Sequence, residues 1–583
     1  MEDRKTAIAV FLCIVVVMVY MQIVFPKPAP QLSQQGVAPT AAASNQASLG
    51  TDFSGVPPVQ SPVAVSQPPR QTRVSEADLQ ASPLTRLESA LFQIEIKHLG
   101  ARLSSFKLKG YRKFLKQPEF LDMVSSGFGA PLPLGLYFEN QNDEAVMYQL
   151  MKVEGLAEPS DGGYLLSEGN RVSLVFEGRL PSGLTIQKTF RFNGGSYLFD
   201  VAASVPSTES GPVWLEWTRV ESPSDSRRSY DPESFVLLDL NKKLQSSLVS
   251  GIKTDGLTVL EEGGRWLSYM DSYFMAALIP PLAAPRNAGK GRFMLVDAQS
   301  GAEAKELYVS RVSGAPAAGN FSVYLGPKDY RALEGLEFDL HRGIDLGFFS
   351  FLAYPLLLAL RLFESWLGNY GLAIILLTLV IKAILLPLTQ AQIESGRKMA
   401  DIQPEVKALR ERIKDSTQLN QEMLALYKRR GVNPMGGCLP ILVQIPVFFG
   451  LFSALRNSIE LRHAGFALWI TDLSAPEKLY IFGLGIPVMV LLMGLSMYLQ
   501  QRSMPAALDP AQQKAMNMMP IIFTVMFVIF PMPAGLTLYW LVSNIISIIQ
   551  QEYIRNDKKA SPLSATIVAS VGIFILGYVL TLF

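Results

Sequence analysis

Lys382 is the residue of greatest chemical consequence in this sequence. It lies inside GNYGLAIILLTLVIKAILLPLTQAQ (368–392), a hydrophobic run of membrane length. An apolar helix of about 20 residues crosses the ~30 Å hydrocarbon layer. A cation near its centre costs about 2.5–3.5 kcal/mol on insertion scales, so an intramembrane lysine marks a candidate functional site. On a helical wheel Gly371, Thr378 and Thr389 fall within roughly 40° of it. The rest of the run is mostly Leu, Ile, Ala and Val, so the helix carries one narrow polar stripe. Two readings stand at this point. Lys382 lies about 7–8 Å along a helix from Pro387, and its stem could snorkel the ammonium to the cytoplasmic interface. Alternatively, the stripe faces protein or water.

Two further spans carry polar groups. On 535–553, Thr537, Trp540, Asn544, Ser547 and Gln551 share one face by the 3.6-residue period. Gln444 lies within the span 436–455. Inside lipid such groups must face protein or water. Convergence on a shared hydrated interior accounts for all three spans. Hydrogen bonding between helices is the simpler alternative.

Composition sets the class. Of 583 residues only 17% are charged, and the net charge is +2. That balance suits a membrane protein with a soluble part and argues against direct nucleic-acid recognition. Cys13 and Cys438 both sit in or beside apolar spans, which supports neither a disulfide framework nor a metal site. His98, His341 and His463 are isolated and read as structural. No nucleotide-binding, zinc-protease or serine-nucleophile motif is present, so no cofactor, metal or catalytic residue is expected.

The elements that must position Lys382 follow from patterning. Residues 1–25 hold a charged start and an uncleaved apolar run, a signal anchor with a cytoplasmic N-terminus. Residues 26–84, rich in Pro, Gln, Ala and Ser, read as a disordered periplasmic linker. Over 85–340, runs such as LFQIEIKHL, RVSLVFEGRL and LTIQKTFRF alternate with period two. No helical pattern recurs between them, so an antiparallel β-sandwich is expected. No acid pair there stands out as catalytic, which favours a scaffold or interaction role. Residues 346–367 are expected to lie in the outer interface as an amphipathic helix. Residues 394–431 are rich in Lys and Arg and read as a cytoplasmic helical hairpin by the positive-inside rule. Met399, Ile402, Val406, Leu409 and Ile413 form one apolar face, Asp415 offers an N-cap and Gly431 a stop. Further spans are expected at 479–499, 516–531 and 563–583.

The runs QPEVKALRERIKD and LNQEMLALYKRRGVNPMGGCLPILVQIPVFFGLF closely resemble the YidC-type membrane protein insertases, relatives of the mitochondrial oxidase-assembly and thylakoid Albino-type proteins. DSYFMAALIP and YLGPKDY resemble the periplasmic domain of the Gram-negative form. The resemblance implies a polytopic α-helical membrane protein of the bacterial inner membrane. Its five-helix core would follow a signal anchor and carry a large periplasmic domain, similar to a sugar-mutarotase-like β-sandwich. It implies a groove open to cytoplasm and lipid, with a basic residue in the second helix that draws in hydrophilic client segments. That position matches Lys382, where several relatives have arginine. The groove-lining set expected here is Lys382, Thr378, Thr389, Gln444, Thr537, Trp540, Asn544 and Ser547. The hairpin, through Arg410, Arg412, Lys428, Arg429 and Arg430, is expected to receive clients or the ribosome.

The implied function is non-enzymatic insertion and folding of integral membrane proteins. Its partners would be nascent membrane proteins, the phospholipid bilayer, the Sec translocon and the ribosome. The rival readings are a secondary transporter coupled through Lys382 and a periplasmic glycan-binding or glycan-processing protein. Where the family ends in a short basic tail, this chain continues into LSATIVASVGIFILGYVLTLF. It reads as an additional helix packing through Ala565, Ala569 and Gly572, with the C-terminus outside.

Overall fold

The computed structural model describes residues 74–115, 117–124, 131–138, 141–160, 162–205, 212–221, 233–248, 258–260, 264–281, 291–298, 305–316, 318–413, 415–432, 439–503, 510–556 and 562–582. The signal anchor 1–25 and most of the expected linker lie outside these residues. The linker's end does not: Glu76–Ala81 (α1) is helical, because Ser75 caps it by accepting from the Asp78 N–H at 3.1 Å.

Period-two patterning then builds the β domain. The strand Arg171–Arg179 buries every second residue and pairs antiparallel with Thr185–Asn193 from Arg171↔Asn193 to Arg179↔Thr185. A six-stranded sheet and a fifteen-stranded sheet form from such pairs. Their inner faces enclose an aromatic core in which Phe92 and Phe106 rings lie 5.4 Å apart and Phe192 and Phe199 4.8 Å apart. The antiparallel expectation has an exception: Leu84–Ser89 and Gly163–Leu166 run parallel.

One buried polar cluster ties the two sheets together. Lys188 donates to the Asp143 Oδ2 at 3.1 Å and to the carbonyls of Gly100 and Leu134 at 3.1 and 2.5 Å. Arg102, from the other sheet, reaches Asp143 Oδ1 at 3.2 Å. Asp143 also accepts from Leu136 N–H and the Tyr148 hydroxyl. Both Lys188 and Asp143 are fully buried. Buried charges survive only when paired and hydrogen-bonded in this way.

After the short helix Tyr330–Glu334 (α2), the chain turns helical. Ser350–Leu367 (α3) ends at Gly368, whose φ of 65° is the left-handed cap. Expected to lie in the interface, it is also long and apolar enough to cross a membrane. Tyr370–Ile384 (α4) follows, capped by the Asn369 side chain. The expected continuous span 368–392 is not found. The chain bends by 62° between α4 and Leu386–Asp401 (α5). Pro387 in the first turn of α5 has no N–H to continue the ladder and disfavours helical geometry in the residue before it.

Gln403–Arg412 (α6) and Ser416–Arg430 (α7) complete the hairpin, whose expected start at 394 falls within α5. Asp415 caps α7 and Gly431, at φ 61°, ends it. Met399, Ile402 and Val406 bury against Leu426 and Val432, so the apolar face expected from the sequence is the hairpin's own small core.

Leu439–Arg456 (α8), Val488–Ser503 (α9), Pro510–Ile529 (α10), Ala534–Asn556 (α11) and Pro562–Leu580 (α12) make up the rest of the bundle. The expected helix 479–499 is shorter. Leu479–Ile481 and Leu484–Ile486 form a β-hairpin, and helix begins only after Pro487. The bundle core runs through Leu372, Ile375, Leu455, Met493 and Ile546. Ile459 reaches into the β-domain core, and the Arg462 guanidinium lies 5.2 Å from the Phe274 ring centre, which fixes the β domain to one end of the bundle.

On α12 the small face differs from the expectation. Ala569 and Gly577 are buried, with Gly577 against Ile375 and Leu372, whereas Gly572 faces open space.

Candidate functional site

Three helices place the polar groups. Asn369 holds the start of α4 at both ends of its side chain: it accepts from Leu372 N–H and donates to the Phe466 carbonyl, each at 3.1 Å. Gly371 gives the Phe466 ring its seat, since a Cβ there would overlap the ring. Lys382 then falls in the last turn of α4, where the helix dipole favours a cation.

The Lys382 ammonium donates to Ser547 Oγ on α11 at 2.9 Å. Ser547 donates in turn to the Ser543 carbonyl at 3.0 Å. Gln444 on α8 donates to Ser543 Oγ in a long contact of 3.5 Å. Lys382, Ser547, Ser543 and Gln444 thus form one polar seam between α4, α8 and α11. No described carboxylate pairs with Lys382, and Ser547 is its hydrogen-bond partner among the described residues.

The other expected members lie elsewhere. Asn544 turns to α9 and donates to Ser496 Oγ at 3.0 Å, a bond between helices. Thr378 is fully buried and donates to the Ile374 carbonyl of its own helix. Thr389, on α5 beyond the bend, and Thr537 make similar bonds to Leu385 and Pro533. Trp540 packs among Phe448, Phe523 and Phe527 at 4.9, 5.9 and 5.5 Å, an apolar setting.

Two polar residues of α11 lie outside the expected set. Ser543 and Gln550 fall within about 60° of Ser547 on the α11 wheel, on one flank of it, with Trp540 and Asn544 on the other flank. Gln550 is buried and donates to Thr566 of α12 at 2.6 Å. The i, i+4, i+7 spacing of Ser543, Ser547 and Gln550 was the available signal. In the hairpin, Arg412, Lys428, Arg429 and Arg430 are exposed and Arg410 is half-buried. Arg430 forms an ion pair with Glu405, joining the two arms.

A β domain carried by a bundle of apolar helices, with a lysine in a polar seam that no described carboxylate pairs, defines a two-part protein of β head and helical body. Sequence comparison gives the family. Residues 84–359 match the family model described as the YidC periplasmic domain, and residues 362–561 match that of the 60Kd inner membrane protein. The second match ends just before α12.

The chain is 34% identical over 575 residues to the membrane protein insertase YidC of Syntrophus aciditrophicus, covering 95% of this chain and 100% of that protein. To the YidC of Syntrophobacter fumaroxidans it is 37% identical over 495 residues, 80% of this chain and 85% of that one. A solved structure of an active YidC insertase with its first transmembrane domain resolved is similar over 80% of this chain and 93% of that one, at 19% identity and a TM-score of 0.34. On the sequence matches, the chain belongs to the YidC membrane protein insertase family, an inner-membrane family.

Proposed function

We propose that this chain inserts integral membrane proteins and assists their folding, and that the Lys382 seam is the groove that receives a client's polar flank. The observation that carries this reading is the Lys382–Ser547 contact: a cation on one apolar helix satisfied by a hydroxyl on another, with no carboxylate among the described residues to neutralise it. A structural lysine inside a bundle is ordinarily paired with an acid. A lysine left with spare donors suits a transient acidic or polar guest.

The client's hydrophobic segment stays against lipid while its polar flank enters the seam. The polar lining lowers the desolvation penalty, the main barrier to crossing. Lys382 adds Coulomb attraction in a setting less screened than water. Apolar burial and the membrane potential supply the driving force for short tails, so the mechanism is non-enzymatic.

In this reading the core helices α4, α8, α9, α10 and α11 span the inner membrane behind an N-terminal anchor at 1–25. The β domain is periplasmic and α3 lies along the outer interface. The basic hairpin faces the cytosol and meets clients, with the ribosome and Sec translocon as partners. The extra helix α12 returns the chain to the outer side. Site-specific crosslinking from positions 378, 382, 444 and 544 to a nascent membrane protein tests the groove. Crosslinks are expected from 382 and 444, and their absence at both sites overturns the assignment.

A further inference from the structure

The β-hairpin before α9 has an unusual tip. Its backbone pairs Leu479↔Ile486, Tyr480↔Gly485 and Ile481↔Leu484, and Phe482 and Gly483 turn with φ of 50° and 80°. Positive φ at both central residues is the turn that matches strand twist. A bulky aromatic rarely adopts it. Here the strain presents the Phe482 side chain outward at 105% exposure, beside Tyr480 at 70% and Leu484 at 68%. The segment LYIFGLGI carries no charge.

The surroundings indicate what covers this tip. The hairpin leads through Pro487 into α9, whose Leu491, Leu492 and Leu495 are exposed. α10 packs against α9 at Gly494 and Thr524, which brings the exposed Val528, Ile529 and Phe530 to the same end. The tip therefore continues an uncharged outer surface of helices that belong to a membrane family. The loop just before it is pinned at the start of α11, where Ala534 and Gly535 N–H groups donate to the carbonyls of Ala475 and Leu473, each at 2.9 Å. Its base is rigid as well. The buried Glu477 carboxylate accepts from the Trp469 indole at 2.8 Å and from the Met489 N–H of α9 at 2.5 Å.

We propose that Leu479–Ile486 is a lipid anchor, which seats Phe482 and Tyr480 at the headgroup–acyl boundary of the leaflet on the β-domain side. The hairpin's ladder pairs the backbone groups that face between its strands, and its two outer edges stay at headgroup depth, where water and lipid phosphate satisfy them. Aromatic side chains favour that depth, and the exposed Lys478 at the base can reach lipid phosphate. An apolar element of this kind sits ~5–10 Å into the boundary region. The anchor fixes the depth of α9 and α11 and is separate from the Lys382 seam.

The test uses the full chain with Cys13 and Cys438 replaced by serine and Phe482→Cys carrying an environment-sensitive fluorophore. It is reconstituted in phosphatidylethanolamine–phosphatidylglycerol vesicles at high lipid excess, with Lys428→Cys as the aqueous control. Quenching by lipids with a nitroxide just below the headgroup should be several-fold stronger than by lipids with the nitroxide at the chain end. Quenching by iodide present on both sides should be several-fold weaker than for the control. Iodide quenching equal to the control would place the tip in water, free for a protein partner, and overturn the anchor. Protection from both iodide and nitroxide lipids would place it against protein and do the same. Tyr480→Cys repeats the measurement should the label at 482 disturb the turn.

Discussion

Replacing Lys382 by Glu reverses the charge in the seam. A client carboxylate brought to ~4 Å from the ammonium gains about 4 kcal/mol at an effective dielectric near 20. At a fully exposed site the same pair would gain about 0–1 kcal/mol. Lys382 is half-buried and already donates to Ser547 at 2.9 Å. An intermediate loss of about 1–3 kcal/mol is therefore expected, and each 1.4 kcal/mol is about tenfold. The assay is insertion into proteoliposomes of two clients that differ only in an acidic or a neutral translocated tail. Lys382→Glu should lower insertion of the acidic-tail client by at least about fivefold relative to the neutral one. Lys382→Arg, which keeps the charge, should restore it. If Lys382→Glu inserts both clients in the wild-type ratio at equal protein level, the charge does not act on clients, and the seam is packing alone.

Asp143→Ala leaves Lys188 and Arg102 buried without their shared carboxylate. The β domain should lose about 3–5 kcal/mol, read as an earlier denaturation midpoint in Trp217 and Trp266 fluorescence. Burial pulls the Lys188 pKa down to about 8, with Asp143 opposing. The folded value lies below the ordinary 10.5, so the unfolded chain holds more protons between these pH values. Stability should therefore gain from this group as pH rises from 8 to 10.5, and Lys188→Met should flatten that part of the profile. In the hairpin, Val406→Ala should cost about 1–3 kcal/mol by opening its small core, seen as faster amide exchange over 399–432. Glu405→Gln, which breaks the exposed pair with Arg430, should cost under about 1 kcal/mol in the same measurement.

Local pattern made much of the fold legible. Period-two alternation placed the strands because one sheet face is dry. The Met399–Val406 spacing placed the hairpin's buried side, and Asp415 and Gly431 marked its turn and end, since caps act within a few residues. Pro387 and Pro487 are equally visible in the sequence, but their effect on the chain direction is not. Each sits where an apolar run continues past the helix, so hydrophobicity masked a bend at Leu385 and a hairpin before Val488.

What the sequence by itself determined is that a lysine lies in an apolar helix, that polar residues recur on 535–553, and which family the chain joins. Only the tertiary structure decided which of those residues meet. Lys382 and Ser547 are 165 residues apart in the chain, and no periodicity within either helix says how the two are rotated against each other. That rotation sends Ser547 to Lys382, Ser543 to Gln444, Asn544 to Ser496 and Trp540 into an aromatic pocket. The Asp143 cluster was hidden for the same reason: Arg102 and Lys188 come from separate strands and Asp143 from a bend after Asn142, and only the packing of two sheets brings them together. Helical phase is a local property of the chain, whereas the choice of partner depends on the whole bundle.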